Sequence, residues 1–203
     1  MEDEFKVVML GEGYVGKTSL ILRYTQNYFT SERTRTTQAA YVSKTIPIDK
    51  KEYTINIWDT AGQEKYQALT PIYYRDSQGA VLVYDVNEPK SFERVKIDVK
   101  NITDMLDDSC VIIIVGNKMD LIDKETLETS EMKQYADSIH AKLCFTSCLT
   151  GDGVEDVFVE LTKQMISKRK KSQNDSEDRR LARIFFEDVN KKNLSKEQGY
   201  CCK

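Results

Sequence analysis

A chain of 203 residues suits one domain with a packed core plus an appendage. Its 30 basic and 33 acidic residues leave a net charge of -3, which gives no ground for general nucleic-acid affinity. No apolar run approaches the roughly 20 residues of a membrane-spanning helix, and the acidic start Met1 to Lys6 lacks a signal-peptide core. The five cysteines are an odd number, and Cys110, Cys144 and Cys148 lie in or beside apolar segments. That pattern points to a reducing compartment and away from a disulfide framework.

In chain order, Phe5 to Leu10 reads as a strand ending at Gly11, and Lys17 to Tyr24 as a helix opening. Tyr41 to Ile48 and Tyr53 to Trp58 alternate apolar and polar residues around Asp49-Lys50-Lys51-Glu52, the pattern of an antiparallel hairpin. Ala80 to Tyr84 and Val111 to Val115 are continuous apolar runs, as buried parallel strands require, and Leu143 to Thr146 is one more. Helical spacing fills Lys65 to Arg75, Lys90 to Leu106, Ser130 to Ile139 and Val154 to Lys168. Strand and helix in alternation predict an α/β fold: a mostly parallel six-stranded sheet with one antiparallel strand and helices on both faces.

Composition changes near Lys168. The basic run Lys168-Arg169-Lys170-Lys171 leads into a polar, charged stretch, so the expected division is a domain over residues 1-168 and a flexible tail over 169-203. Within the tail, Leu181, Ile184, Phe185 and Val189 share one helical face, which fits either a frayed segment or a docking segment.

Gly11-Glu12-Gly13-Tyr14-Val15-Gly16-Lys17-Thr18 has the spacing G-x-x-x-x-G-K-[ST] between a strand and a helix. Glycines let backbone N–H groups turn onto phosphate oxygens, and the helix N-terminus adds unpaired donors and a positive dipole end. Lys17 reaches the terminal phosphates and the Thr18 hydroxyl suits Mg²⁺. Alone, this motif fits an ATPase, a nucleotide kinase or a GTPase. The choice falls to Asn117-Lys118-Met119-Asp120, at the C-terminal end of a predicted parallel strand. A carboxylate there pairs with N1–H and the 2-amino group of guanine, whereas adenine would leave it unpaired. Asn117 serves the N7 side and ties loops, the Lys118 stem lies over the ring, and backbone N–H groups of Ser147-Cys148-Leu149 meet guanine O6. Asp59, at the end of another strand, suits the magnesium shell; Gly62 offers an N–H to a γ-phosphate, and Gln63 orients water.

These motifs, in this order and spacing over about residues 4 to 168, resemble the Ras-superfamily small GTPases. Trp58 to Glu64, Tyr73-Tyr74-Arg75 and the ending Cys201-Cys202 resemble the Rab family, and Ile72 to Asp76 with Gly79 to Asp85 look closest to the endosomal Rabs. The resemblance implies GTP and GDP as ligands with Mg²⁺. It implies catalytic roles for Gln63 and Lys17, and nucleotide contacts from Gly13, Tyr14, Val15, Gly16, Lys17, Thr18, Ser19, Phe29, Thr36, Gly62, Asn117, Lys118, Asp120, Ser147, Cys148 and Leu149. It assigns Thr18, Thr36 and Asp59 to the metal; Thr37 is a rival to Thr36, which lies 18 positions after Thr18. Tyr41, Trp58 and Tyr73 match the family's effector-contact aromatics. Cys201 and Cys202 match a double-cysteine prenylation site, and two lipid chains anchor where one does not. The implied protein is a monomer on the cytoplasmic face of endosomal or vesicle membranes. Its implied partners are an exchange factor, a GTPase-activating protein, effectors, a prenylation escort and a GDP-dissociation inhibitor. No arginine occupies a clear cis finger position, so the implied hydrolysis is slow without an activating protein. Two departures stand out: Thr37-Gln38-Ala39-Ala40 in the first switch segment, and Leu149 where the family carries lysine.

Overall fold

The computed structural model describes residues 3–31, 36, 40–60, 70–122 and 130–197, with the backbone alone described at 70, 71, 175, 178, 179 and 181–197. The strands are β1 (Glu4–Leu10), β2 (Ala40–Ile48), β3 (Lys51–Asp59), β4 (Gly79–Asp85), β5 (Val111–Asn117) and β6 (Lys142–Thr146). The helices are α1 (Lys17–Gln26), α2 (Thr70–Tyr74), α3 (Lys90–Leu106), α4 (Ser130–Ser138) and α5 (Val154–Glu197). The six strands form one sheet in the order β2-β3-β1-β4-β5-β6. Among the described residues, only the β2–β3 pairing is antiparallel and the other four pairings are parallel.

The hairpin turn is tighter than the four polar residues suggest. Ile48 pairs with Lys51, leaving Asp49 and Lys50 as a two-residue loop with φ of 50° and 67°. Two positive φ values are the signature of the type I′ turn, whose twist matches the flanking strands. β4 is buried at every position, as expected for a strand covered on both faces. On one face, Tyr24 of α1 stacks on Phe158 of α5 with ring centroids 4.0 Å apart, and Gly79 of β4 lies against Leu161 and Met165. On the other, Phe92, Val95, Val99 and Ile102 of α3 join Val8, Leu82, Tyr84 and Ile114 in one buried cluster. Each such side chain contributes about 1.5–3 kcal/mol on leaving water, so the strands on which the site depends are firmly held.

Residues 1–165 and 166–203 are two separate compact units. In the second, the backbone is helical as far as Glu197, so the helix expected to close at Lys168 runs on. Between Val154 and Glu197 there is neither glycine nor proline, and lysine, glutamate and arginine abound. Such residues favour helix even where no apolar face selects it. Among the described residues, no helix is long and apolar enough to cross a membrane.

Candidate nucleotide site

Strand direction gathers the predicted site residues. β1 ends at Leu10, β3 at Asp59, β4 at Asp85, β5 at Asn117 and β6 at Thr146, all on the C-terminal edge of the parallel strands. The chain leaves β1 for β2 and β3 on one side and returns to β4 on the other. Such a reversal opens the crevice in which open α/β sheets bind ligands.

The loop after β1 depends on two glycines. Gly11 has φ 132°, and a Cβ there would stand 2.2 Å from the Val83 carbonyl oxygen; Gly16 has φ 102°, and its Cβ would stand 2.3 Å from Asn117 Nδ2. Any side chain would therefore push the loop off β4 and β5. Gly16 starts α1 without a side-chain cap, which leaves first-turn N–H groups available to an anion. Lys17 is buried, and its Nζ donates to the carbonyls of Gly11 at 3.0 Å and Glu12 at 2.8 Å. Burial pulls its ammonium down to about 8, against the pull of Asp59 and Asp98. Thr18 and Ser19 follow in the first turn of α1, Val15 is buried, and Tyr14 is exposed with φ 65°.

A chain of hydroxyls leads to Asp59. Thr18 Oγ1 donates to Asp59 Oδ2 at 2.5 Å and lies 2.7 Å from Thr36 Oγ1. Thr18 has one hydroxyl proton, so Thr36 is the donor in the second contact. Asp59 Oδ1 is buried with no partner among the described residues. Burial pushes this carboxyl up, against the Thr18 hydroxyl and Lys17. An all-oxygen set with an orphaned carboxylate oxygen matches the preference of Mg²⁺ for hard ligands, so these residues fit the cation that the sequence implies.

The far side of the crevice is a lattice of side chains. Asn117, 1% exposed, donates from Nδ2 to the Val15 carbonyl at 2.9 Å. Its Oδ1 accepts from Thr146 Oγ1 at 3.0 Å and Cys148 Sγ at 3.3 Å. One amide thus joins the loops after β1, β5 and β6. Lys118 has φ 71°, and its Nζ contacts Asp85 Oδ2 at 2.5 Å. Asp120 is exposed, and its Oδ1 accepts from Ser147 Oγ at 2.5 Å, which fixes the carboxylate's direction. Leu149 is exposed, as its loop position requires. Phe29 is half-buried beneath Arg23, whose guanidinium carbon lies 5.9 Å from its ring centre.

Tyr41, Trp58 and Tyr73 meet on one side of the hairpin. Tyr41 packs edge-on against Trp58 at 5.3 Å between centroids, and Trp58 lies 6.3 Å from Tyr73. Gly62, Gln63, Thr37, Cys201 and Cys202 lie outside the described residues.

Four contributors escaped sequence reading. Asp85 anchors Lys118, the Ser147 hydroxyl anchors Asp120, Arg23 grips the loop after β6, and Asp98 of α3 lies close enough to Lys17 to favour its charge. Arg23 and Cys148 are 125 positions apart, and no spacing rule spans such a distance. The one available signal was Asp98 itself, a carboxylate among the buried positions of an amphipathic helix.

The family model for "Ras family" matches residues 6–167. Over 202 residues, the chain is 43% identical to "Ras-related protein Rab-21" of Mus musculus, covering 98% of this chain and 91% of that one. It is 49% identical over 162 residues to the Rattus norvegicus protein of the same name, covering 80% and 73%. It is 40% identical over 162 residues to "Ras-related protein Rab-5A" of Dictyostelium discoideum, covering 80% and 81%.

Proposed function

The chain belongs to the Ras family and, within it, to the Rab small GTPases of endosomal type, and we propose that its site binds GTP and GDP and hydrolyses GTP through the residues just described. Rab proteins are GTP hydrolases that act in membrane trafficking, and their family works with guanine nucleotide and Mg²⁺. The observation that carries the assignment to these residues is the placement of Asp120. Ser147 holds its carboxylate on the same sheet edge that presents Lys17 and the loop amides.

In this reading, the loop N–H groups and Lys17 bind the β- and γ-phosphates and offset the charge that develops as water attacks in line. Thr18, Thr36 and Asp59 would hold Mg²⁺, which supplies further neutralisation of phosphate charge. Gln63 would orient the water, and Gly62 would offer its N–H to the γ-phosphate. Asn117, Lys118, Asp120, Phe29 and the Ser147-Cys148-Leu149 loop enclose guanine. GTP would hold Thr36 and Gly62 in place, and hydrolysis would release both. Tyr41, Trp58 and Tyr73 form the surface on which effectors read the state.

The region beyond Lys168 is the tail in this reading, with prenyl groups on Cys201 and Cys202 and the basic run Lys168 to Lys171 drawn to anionic lipid. That places a monomer peripherally on the cytoplasmic face of endosomal or vesicle membranes. Its partners there are an exchange factor, an activating protein, effectors, a prenylation escort and a GDP-dissociation inhibitor.

The test is the nucleotide released on denaturing the purified protein, followed by D120N. Near-stoichiometric GDP or GTP, with D120N moving preference toward xanthine nucleotides, is the expected result. Adenine nucleotide in the wild type, or unchanged GTP binding in D120N, overturns the assignment.

A further inference from the structure

Arg23 lies in the last turn of α1. Its Nε donates to the Cys148 carbonyl at 2.7 Å and its Nη2 to the Leu149 carbonyl at 2.7 Å, one bond to each of two consecutive peptides. Its Nη1 is 3.1 Å from Asn27 Oδ1 and 3.3 Å from the Asn27 carbonyl, which braces the guanidinium from its own helix end. The same group lies over the Phe29 ring. A single side chain therefore joins α1, the segment that leaves it and the loop after β6.

The loop's own hydrogen bonds use other donors. Gly151 N–H bonds the Ser147 carbonyl at 2.8 Å, Ser147 N–H the Asp152 carbonyl at 3.0 Å, and Thr150 N–H the Ser147 hydroxyl at 3.2 Å. The N–H groups of Cys148 and Leu149 take no part in these bonds. In a trans peptide, C=O and N–H point in opposite directions from one rigid plane. The Gly151 bond to the Ser147 carbonyl thus aims the Cys148 N–H, and the Arg23 bond to the Cys148 carbonyl aims the Leu149 N–H. The aim is away from Arg23. Hydrogen bonds from an ionised donor are about twice as strong as neutral ones, and the planar fork matches two adjacent carbonyls as an ammonium does not.

We propose that Arg23 is a positioning residue of the guanine site: its fork orients the Cys148–Leu149 peptide so that the Leu149 N–H meets the oxygen on C6 of the base. The proposal rests on the guanine reading above and adds to it a residue that touches no part of the ligand. Arg23 reads one edge feature of the base through the loop, whereas Asp120 reads the 2-amino group independently.

The experiment uses the full chain with R23K and R23A and measures affinity for GDP, 6-thio-GDP and IDP by displacement of a fluorescent GDP, with melting temperature alongside. Sulfur on C6 is a poorer acceptor than oxygen, and IDP lacks the 2-amino group. The wild type is expected to prefer GDP over both. Both variants are expected to lose about 10–100-fold in GDP affinity, the range of one or two charge-assisted bonds. Their preference for GDP over 6-thio-GDP should collapse, while the preference for GDP over IDP persists. R23K should resemble R23A, because lysine keeps the charge without the fork. Both ratios unchanged would reduce Arg23 to a structural brace, and both falling together would mean general loosening; either result overturns the proposal, as does full rescue by R23K. A wild type indifferent between GDP and IDP would remove the Asp120 reading and this proposal with it, whereas a selective wild type with unaltered variants removes this proposal alone.

Discussion

R94L, D98N and the double replacement isolate a buried ion pair in α3. Arg94 Nη2 lies 2.9 Å from Asp98 Oδ1, with 19% of the arginine side chain and 1% of the aspartate side chain exposed. Asp98 Oδ2 and Arg94 Nε have no partner among the described residues. Burial pushes the Asp98 carboxyl up more than Arg94, Lys17 and the Gly11 amide pull it down, so desolvation outweighs the pairing. R94L strands a buried carboxylate, and breaking such a pair costs about 3 kcal/mol. D98N still accepts from the Gly11 amide and leaves a guanidinium with partial access to water, for a cost of about 2 kcal/mol. The double variant carries neither stranded charge and should fall within about 1 kcal/mol of wild type. At about 2–4 °C per kcal/mol for a domain this size, melting should drop by about 6–12 °C for R94L and by about 4–8 °C for D98N, and recover in the pair. GDP and Mg²⁺ must be held at one concentration, because bound ligand raises melting by mass action. The sign with pH follows from the raised carboxyl. The folded state holds that proton more tightly than the unfolded chain, so this group's contribution falls as pH rises through its folded value. R94L should therefore regain stability as pH is lowered, and D98N should not. Additive losses in the double variant would refute the coupling.

Three further outcomes follow from single positions. G16A places a methyl group 2.3 Å from Asn117 Nδ2 on a backbone at φ 102°; GDP affinity by fluorescence titration should fall by at least about 100-fold, the scale of a few kcal/mol of strain, and wild-type affinity would contradict the geometry. N117A leaves the Val15 carbonyl and the Thr146 hydroxyl without a buried partner; urea unfolding should show a loss of about 3 kcal/mol, and an unshifted midpoint would contradict it. Burial pushes the Cys148 thiol up to about 11 from an ordinary 9.0. The folded state keeps this proton, so the thiol's contribution to stability falls as pH rises from 9.0 toward 11. With roughly 100-fold less thiolate than a free cysteine, Cys148 should resist iodoacetamide until the chain unfolds, as read by mass spectrometry of its peptide. Alkylation at the unfolded rate would overturn the burial argument.

The elements whose residues declare their surroundings are legible in the sequence. α3 begins and ends where its apolar spacing does, because Phe92, Val95, Val99 and Ile102 form one stripe. β4 as far as Tyr84 and β5 as far as Val115 are apolar runs because both faces are covered, and the polar Asp85 and Asn117 come only at their ends. The glycine-rich loop and the asparagine-to-aspartate turn were readable because their spacing encodes backbone geometry. The two strands of the hairpin were placed correctly and the turn overestimated, since Asp49 and Lys50 adopt positive φ without the glycine that usually advertises it. The end of α5 was misjudged for a related reason: at Lys168 the amphipathic pattern stops but helix propensity does not. Arg23, Asp85 and the Ser147 hydroxyl were invisible because each acts on a residue brought near only by the sheet.

The described contacts divide the site into unequal halves. On the base side, Asn117 makes three buried hydrogen bonds across three loops, and Arg23 adds two charge-assisted ones. Loss of any of the three Asn117 bonds leaves a buried group unsatisfied, at about 1–3 kcal/mol each. On the phosphate side, the described tether of Thr36 is one hydroxyl contact to Thr18, and Thr18 is in turn committed to Asp59. A neutral hydrogen bond of that kind is worth about 1 kcal/mol, against about 1.5–3 kcal/mol for a bond to a charged group. In the proposed reading, a γ-phosphate outweighs the Thr36 tether it would replace, while its loss on hydrolysis removes no contact from the base side. A switch needs that inequality. The ligand can bias only an element whose two states differ by less than its own differential contacts, and the same ligand must stay bound through its aromatic base while that element moves.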